Sequence, residues 1–129
     1  MILESIRSVA EERPWDIRER TFRFACDIVS FCRNLARQPG GRQIAEQLHD
    51  AGTSVGSNVE EARAAYSRRE FAVKNCIALK EARESAFWLR LTIACNLTPD
   101  PEARRLLREA GELVGILTAT VASARRPKP

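Results

Sequence analysis

Residues 67–96 read SRREFAVKNCIALKEARESAFWLRLTIACN, and this stretch decides the fold. Its apolar residues recur mainly at steps of three and four, which is the spacing of one face of an α-helix. That face comprises Phe71, Ala78, Leu79, Ala82, Ala86, Leu89 and Ile93. The stretch therefore predicts a long helix that packs against other helices.

The opposite side of this helix is not plainly polar. It mixes apolar with charged side chains, namely Val73, Ile77, Lys80, Glu81, Glu84, Phe87, Trp88 and Leu91. A helix that covers only one core normally has a polar back. We therefore predict an oligomer interface here, formed by Ile77, Lys80, Glu81, Glu84, Phe87 and Trp88. The alternative is that the aromatic residues lie beneath the N-terminal segment of the same chain.

Three further helical stretches are predicted around this one. Residues 16–37 begin at a capping residue, Asp16, and carry an apolar seam formed by Ile17, Thr21, Phe24, Ile28, Phe31 and Leu35. Residues 42–66 place on one face Ile44, Leu48, Ala51, Val55, Val59, Ala62 and Tyr66. Residues 101–124 place inward Leu106, Ala110, Leu113, Leu117 and Val121.

Short turns join these stretches, and such turns connect antiparallel neighbours. We therefore predict an all-α protein, an antiparallel up-down-up-down four-helix bundle over residues 15–124. Residues 1–14 are expected to form an N-terminal segment with a short helix, which Pro14 ends. Residues 125–129 form a basic tail.

Glycines occur within two of the predicted helices. The segment 52–58, GTSVGSN, is poor in helix formers, but the apolar spacing stays in phase through it. We therefore predict one continuous helix with a weak or kinked centre, whose small residues let a neighbouring backbone approach closely. Gly111 and Gly115 have the G-x-x-x-G spacing, which predicts close helix packing there as well.

Composition limits the class of protein. With 129 residues, 44% of them hydrophobic, the chain can bury the core of one domain. Neither a signal peptide nor a membrane-spanning stretch is apparent, so we expect a cytoplasmic protein. Its four cysteines, Cys26, Cys32, Cys76 and Cys95, form no C-x-x-C pair. We expect them to be buried free thiols in a reducing compartment.

The sequence offers little for catalysis or for a cofactor. Its single histidine, His49, follows Glu46 in one Glu-x-x-His pattern, whereas di-iron bundles use that pattern twice. Both side chains are predicted to face solvent, opposite Leu48. The carboxylates of the second and third helices, Glu60, Glu61, Glu81 and Glu84, have basic residues at salt-bridge spacing. We therefore expect them to form ion pairs. We predict a protein that is not an enzyme and that holds no metal or cofactor.

Basic residues give a net charge of +4 and occur in clusters. The clusters that could contact phosphates are Arg63, Arg68 and Arg69, then Arg104, Arg105 and Arg108, then Arg125, Arg126 and Lys128. The alternative is that they are ordinary solvated helix surface. Because few aromatic residues are expected outside the core, we predict that phosphate contacts dominate and base stacking contributes little.

Several runs of sequence carry a family resemblance. They are SVGSNVEEA at 54–62, SRREF at 67–71, IALKEARE at 77–84 and FWL at 87–89. In these runs the chain resembles the bacterial four-helix-bundle proteins encoded by intervening sequences within 23S ribosomal RNA genes. The resemblance covers about residues 15–122, and its motif includes Ser54, Asn58 and Glu61.

This resemblance implies a homopentamer but no defined activity, since the family's biochemical role is unsettled. A more distant resemblance is to the basic pentameric accessory protein of diversity-generating retroelements, which works with a reverse transcriptase and nucleic acid. Two hypotheses follow. The chain is a nucleic-acid-binding accessory module, or it is an oligomeric scaffold that engages a protein partner. Binding that weakens steeply with salt favours the first hypothesis.

Overall fold

Four antiparallel helices make up the part of the chain that the computed structural model describes, residues 16–127. They are α1 (Ile17–Leu35), α2 (Arg42–Arg63), α3 (Arg68–Ala94) and α4 (Glu102–Arg125). Each helix packs extensively against the next, whereas α1 and α4 meet over a smaller area. The predicted all-α four-helix bundle is confirmed. The predicted short N-terminal helix lies outside the described residues.

Local sequence signals set where two of the helices begin. The Asp16 carboxylate accepts a hydrogen bond from the Glu19 amide at 3.4 Å, as predicted for an N-cap. At α3 the Ser67 hydroxyl accepts from the Glu70 amide at 3.0 Å, and Ser67 itself has extended backbone angles. This cap requires the chain to leave the helical conformation before residue 67. The prediction that α2 continues to Tyr66 is therefore wrong, and α2 ends at Arg63.

The core is apolar along all four helices, with a few buried polar side chains on α1 and α3. Its largest fully buried side chains are Phe24, Ile28, Leu35, Leu48, Leu89, Leu106, Leu113 and Leu117. Thr21, Asn75, Ser85 and Thr92 are also buried, and each donates to the carbonyl oxygen four residues earlier at 2.8–3.0 Å. Because these side chains satisfy themselves within their own helix, they pack in the core as small residues.

The middle of α2 is helical throughout, as predicted, and it lies against α1. A Cβ atom at Gly52 would be only 2.7 Å from a side-chain carbon of Ile28. One at Gly56 would be 3.1 Å from the carbonyl oxygen of Thr21. The predicted close approach of a neighbouring backbone is therefore confirmed at Gly56, whereas at Gly52 the close neighbour is the Ile28 side chain.

The same prediction for α4 is wrong within residues 16–127. A Cβ atom at Gly111 or Gly115 would meet no atom of the described residues within 4 Å. Both glycines lie on the exposed side of α4, because the core-facing positions of that helix are filled by leucine, alanine and valine. The G-x-x-x-G spacing therefore carries no packing role inside the bundle.

Ion pairs connect α1 with α4 where the two helices meet less closely. Arg20 binds Glu109 through two nitrogens, one of them at 3.1 Å, and also contacts Glu112 at 3.3 Å. The hydrogen bond to Glu109 is the main reason that the pKa of Arg20 is raised. Arg105 donates to Asp27 at 2.8 Å. Long charged side chains thus span a gap that apolar side chains do not fill.

The cysteines differ from the prediction of four buried thiols. All four are free, but Cys26 and Cys95 are exposed and Cys76 is half-buried. Only Cys32 lies in the core, where burial raises the pKa of its thiol to about 12. Cys26 lies on the outward side of α1, and Cys95 is the C-cap residue that follows α3.

Among residues 16–127, none of the helices is long and apolar enough to span a membrane.

Candidate nucleic-acid interface

Five arginines collect at one end of the bundle. Because neighbouring helices are antiparallel, α2 ends, α3 begins and α4 ends on the same side of the molecule. This arrangement gathers Arg63, Arg68, Arg69, Arg125 and Arg126, which we call the arginine end. Two clusters that are separate in the sequence, at residues 63–69 and at residues 125–126, therefore lie together. Lys128 lies outside the described residues.

Direct contacts tie the helices together at this end. The Arg68 guanidinium donates to the Ser123 carbonyl oxygen of α4 at 3.1 Å. Arg125 reaches back to α3, with its Nη2 atom 3.8 Å from the Cys76 sulfur. One shallow depression on the surface is lined by Arg68, Arg69, Arg125 and Arg126 together with Ala72, Val73, Ala124 and Pro127. Four cationic side chains thus surround a single small area that is open to solvent.

The third predicted cluster lies at the opposite end, where α4 begins. Arg104 and Arg108 are exposed there. Arg105 faces α1 instead, since its guanidinium binds both Glu102 and Asp27. These bonds raise the pKa of Arg105, and the bond from Arg105 is the main cause of the lowered pKa of Glu102. Arg105 is exposed like Arg104 and Arg108, but its guanidinium is already paired with carboxylates.

An aromatic side chain that was predicted to be internal lies at the arginine end. Tyr66 occupies the turn between α2 and α3, and it is 99% exposed. The apolar spacing of α2 extends to Tyr66 by chance, whereas the Ser67-x-x-Glu70 pattern already indicated that a new helix begins after it. The premise that few aromatic residues lie outside the core is also wrong, because Phe22 and Phe87 are exposed as well.

The mixed face of α3 forms an apolar stripe on the surface of the bundle. Val73, Ile77 and Phe87 are 48%, 38% and 55% exposed. Lys80 and Glu84 are exposed between them. We call these five residues the α3 stripe. Apolar side chains that are grouped and exposed on one helix surface do not stabilise an isolated bundle, and such groups are typical of interaction surfaces.

Two residues of the predicted interface lie beside the stripe and are partly buried. Trp88 packs against the core, and its indole Nε1 is buried without a hydrogen-bond partner among the described residues. Its ring meets that of Phe87 edge to face, with the centroids 5.0 Å apart. The pKa of Glu81 is raised, first because the carboxyl is partly buried and then because Glu84 is near.

The three motif positions lie on the side of α2 that faces α3, and each makes a polar contact. Ser54 donates to the Asp50 carbonyl oxygen at 2.6 Å, and Asn58 donates to the Ser54 carbonyl oxygen at 2.8 Å. Glu61 accepts from the Lys74 ammonium of α3 at 3.0 Å. The contacts of Ser54 and Asn58 therefore lie within α2, and the contact of Glu61 joins α2 to α3.

Glu46 and His49, which form the single Glu-x-x-His pattern, are both exposed on α2 as predicted. Glu46 lies 3.7 Å from Arg42, and the His49 Nδ1 atom lies 3.5 Å from the Asp50 carboxylate. Among the residues that the structure describes, no group of three or more His, Cys, Asp or Glu side chains is placed to hold a metal ion.

These features together define a class of protein, a small antiparallel helical bundle with an arginine-rich end and an exposed apolar stripe. The chain belongs to the 23S rRNA-intervening sequence protein family, whose sequence model matches residues 13–119. The predicted family resemblance is therefore confirmed.

Among solved structures, the chain is similar to a protein of unknown function from the S23 ribosomal protein family of Bacteroides thetaiotaomicron. The two chains are 30% identical and superpose with a TM-score of 0.76, and the match covers 81% of this chain and 97% of the other. None of the curated proteins matches the chain.

Proposed function

We propose that this chain is a non-enzymatic, oligomeric accessory protein of the cytoplasm that binds RNA or DNA through the arginine end. The observation that carries the proposal is the shallow depression lined by Arg68, Arg69, Arg125 and Arg126. The planar guanidinium fork matches the geometry of phosphate oxygens, so this surface suits a sugar-phosphate backbone. The family description refers to 23S rRNA, and RNA is accordingly the first ligand to test.

Three arginines of the arginine end are not paired with a carboxylate of the described residues. Arg63, Arg69 and Arg126 make no ion pair with another described residue, whereas Arg105 at the opposite end is held by Asp27 and Glu102. An arginine that already binds a carboxylate has to give up that bond before it can bind phosphate. Binding through the arginine end should be largely independent of sequence and should weaken as salt rises.

The test compares two double variants that remove the same charge from opposite ends. Arg69→Gln with Arg126→Gln alters the arginine end, and Arg104→Gln with Arg108→Gln is the matched control. The plot of log K against log salt for a single-stranded RNA should lose about 1.4 units of slope in the first variant, since each of the two lost phosphate contacts contributes about 0.7. Equal slopes in the two variants would contradict the assignment to the arginine end.

Charge reversal of Arg104, Arg105 and Arg108 together is not a suitable test. Arg105→Glu would place a carboxylate beside Asp27 and Glu102 and would remove an ion pair between α1 and α4. A loss of binding in that variant would not separate a lost contact from a damaged bundle. Arg104 and Arg108, which make no ion pair with another described residue, avoid this problem.

Assembly is the second part of the proposal, and the α3 stripe is the observation that favours it. Apolar side chains such as Phe87 and Val73 gain by burial against another chain, while Lys80 and Glu84 can set the register. By family resemblance the assembly has five copies. Light scattering at micromolar concentration should then report about 72 kDa, which is five times the chain mass of 14.5 kDa. A mass of one chain would contradict assembly.

The same stripe also favours the alternative function, a scaffold that engages a protein partner. Salt separates the two functions, because apolar burial is much less sensitive to salt than phosphate contacts are. If the wild-type oligomer retains neither RNA nor DNA at low salt, the scaffold becomes the better hypothesis. A protein captured through the stripe should then be released by changes at Phe87 and not by changes at Arg69.

A further inference from the structure

The aromatic ring of Tyr66 is exposed to solvent, and the backbone that carries it is held by hydrogen bonds. The ring is 99% exposed, so it contributes almost nothing to the packing of this chain. Its backbone is nevertheless tied down, because the Tyr66 amide donates to the Glu70 carboxylate at 3.0 Å. Ser67 caps the following helix through the Glu70 amide, also at 3.0 Å. The turn thus presents the ring from a rigid position, which reduces the entropy lost when the ring binds something.

The charges around this ring are arranged for an anionic ligand. Arg63 precedes the turn, and Arg68 and Arg69 follow it. The neighbouring carboxylates are already engaged by other groups. Glu60 accepts from Arg18 at 2.9 Å, and Glu61 accepts from Lys74 at 3.0 Å.

Glu70 is engaged in turn by the Tyr66 amide. Because these acidic side chains have partners, they do not compete for the arginines beside Tyr66. The net result is an exposed aromatic ring bordered by cations.

We infer that Tyr66 stacks on an unpaired base while the adjacent arginines bind the phosphates on either side of it, so that the ligand of the arginine end is single-stranded nucleic acid. An aromatic ring beside a cationic groove is the usual means of binding single strands, since every base has a face on which to stack. Bases inside a duplex are already stacked and offer only their edges. This inference rests on the proposed function and narrows its ligand from nucleic acid in general to unpaired strands.

The test measures binding of a fluorescein-labelled single-stranded RNA and of the same sequence as a duplex, by anisotropy in low salt. Tyr66→Ser removes the ring, Tyr66→Phe keeps it, and Phe22→Ser removes an exposed ring from α1, which contributes none of the five arginines. We expect Tyr66→Ser to weaken single-strand binding by about 5- to 100-fold. Duplex binding should change by less than about twofold, and Tyr66→Phe and Phe22→Ser should bind like the wild type.

The outcomes separate the two proposals. If the wild type binds RNA and Tyr66→Ser binds the single strand equally well, the stacking inference is wrong and the proposed function stands. If the wild type binds neither form at low salt, both are wrong. If Tyr66→Ser alters the mass of the particle, the ring packs between copies of the chain, and that result also overturns the inference. A single-stranded DNA of the same sequence shows whether the ribose hydroxyl contributes.

Discussion

Replacing Gly52 by alanine should reveal how closely α1 and α2 approach each other. The new methyl group would lie 2.7 and 2.8 Å from two side-chain carbons of Ile28. Non-bonded carbons prefer about 3.5–4.0 Å, so the helices would have to separate locally by about 1 Å. Overpacking of this kind costs about 1–3 kcal/mol. Alanine also gains about 1 kcal/mol over glycine in a helix, which offsets part of the cost.

Gly111→Ala provides the control, because it has the same gain in helix propensity and no contact within 4 Å among the described residues. Gly111→Ala should stabilise the bundle by about 1 kcal/mol. The difference between the two variants then isolates the overpacking, about 1–3 kcal/mol in the free energy of unfolding. Urea unfolding followed by far-UV circular dichroism, at one fixed protein concentration, measures both values.

A double variant tests whether Ile28 is the cause. Ile28→Ala removes the two carbons at 2.7 and 2.8 Å and keeps the Ile28 Cβ at 3.1 Å, so in that background Gly52→Ala should cost much less stability. The reduced cost is the specific expectation. If Gly52→Ala stabilises the wild-type background as much as Gly111→Ala does, then the helices are not as close at this point as the distances indicate.

Two further predictions concern groups whose pKa is raised by burial, the Cys32 thiol and the partly buried Glu81 carboxyl. Native protein treated with a thiol reagent should react quickly at Cys26 and Cys95. Cys32 should react only on unfolding, because it is buried and its pKa is raised to about 12. Fast reaction of Cys32 in the native protein would show that its helix opens readily. Glu81→Gln should raise the free energy of unfolding at neutral pH, since the raised pKa of Glu81 means that its charged form is less favourable in the folded state. The advantage should disappear in titrations carried well below the ordinary pKa of 4.5, where the carboxyl is protonated in both states, and an advantage that persists there would point to a cause other than charge.

Apolar periodicity predicted the bundle well because the core is long, regular and built from helix-forming residues. Residues 67–96 were expected to be helical, and α3 spans Arg68–Ala94. The error at Tyr66 arose where periodicity and capping disagreed. The structure follows the Ser67 cap. The first backbone amides of a helix have no acceptor within the helix, and the Ser67 hydroxyl supplies one for α3.

The candidate site was harder to predict, since it depends on which helix ends meet. Arg68 and Arg125 are far apart in the sequence and lie at one end only because the helices alternate in direction. The pairing of Arg105 with Asp27 joins α1 to α4, and no local pattern around either residue indicates it. Spacing along one helix can show which residues share a face, but it does not show which neighbouring helix that face meets.

The geometry of the bundle would link the proposed assembly to the proposed nucleic-acid binding. A ring made by packing bundles side by side along the α3 stripe keeps the same end of every copy on one face, so the arginine ends and their Tyr66 rings would be repeated around it. Five copies at +4 each carry a formal charge of +20. A strand held by one copy then meets the next at high effective concentration, and individually weak contacts add up. A stripe variant that yields single chains should therefore lose most of its retention of RNA although its arginine end is intact, and undiminished retention by single chains would separate the two properties.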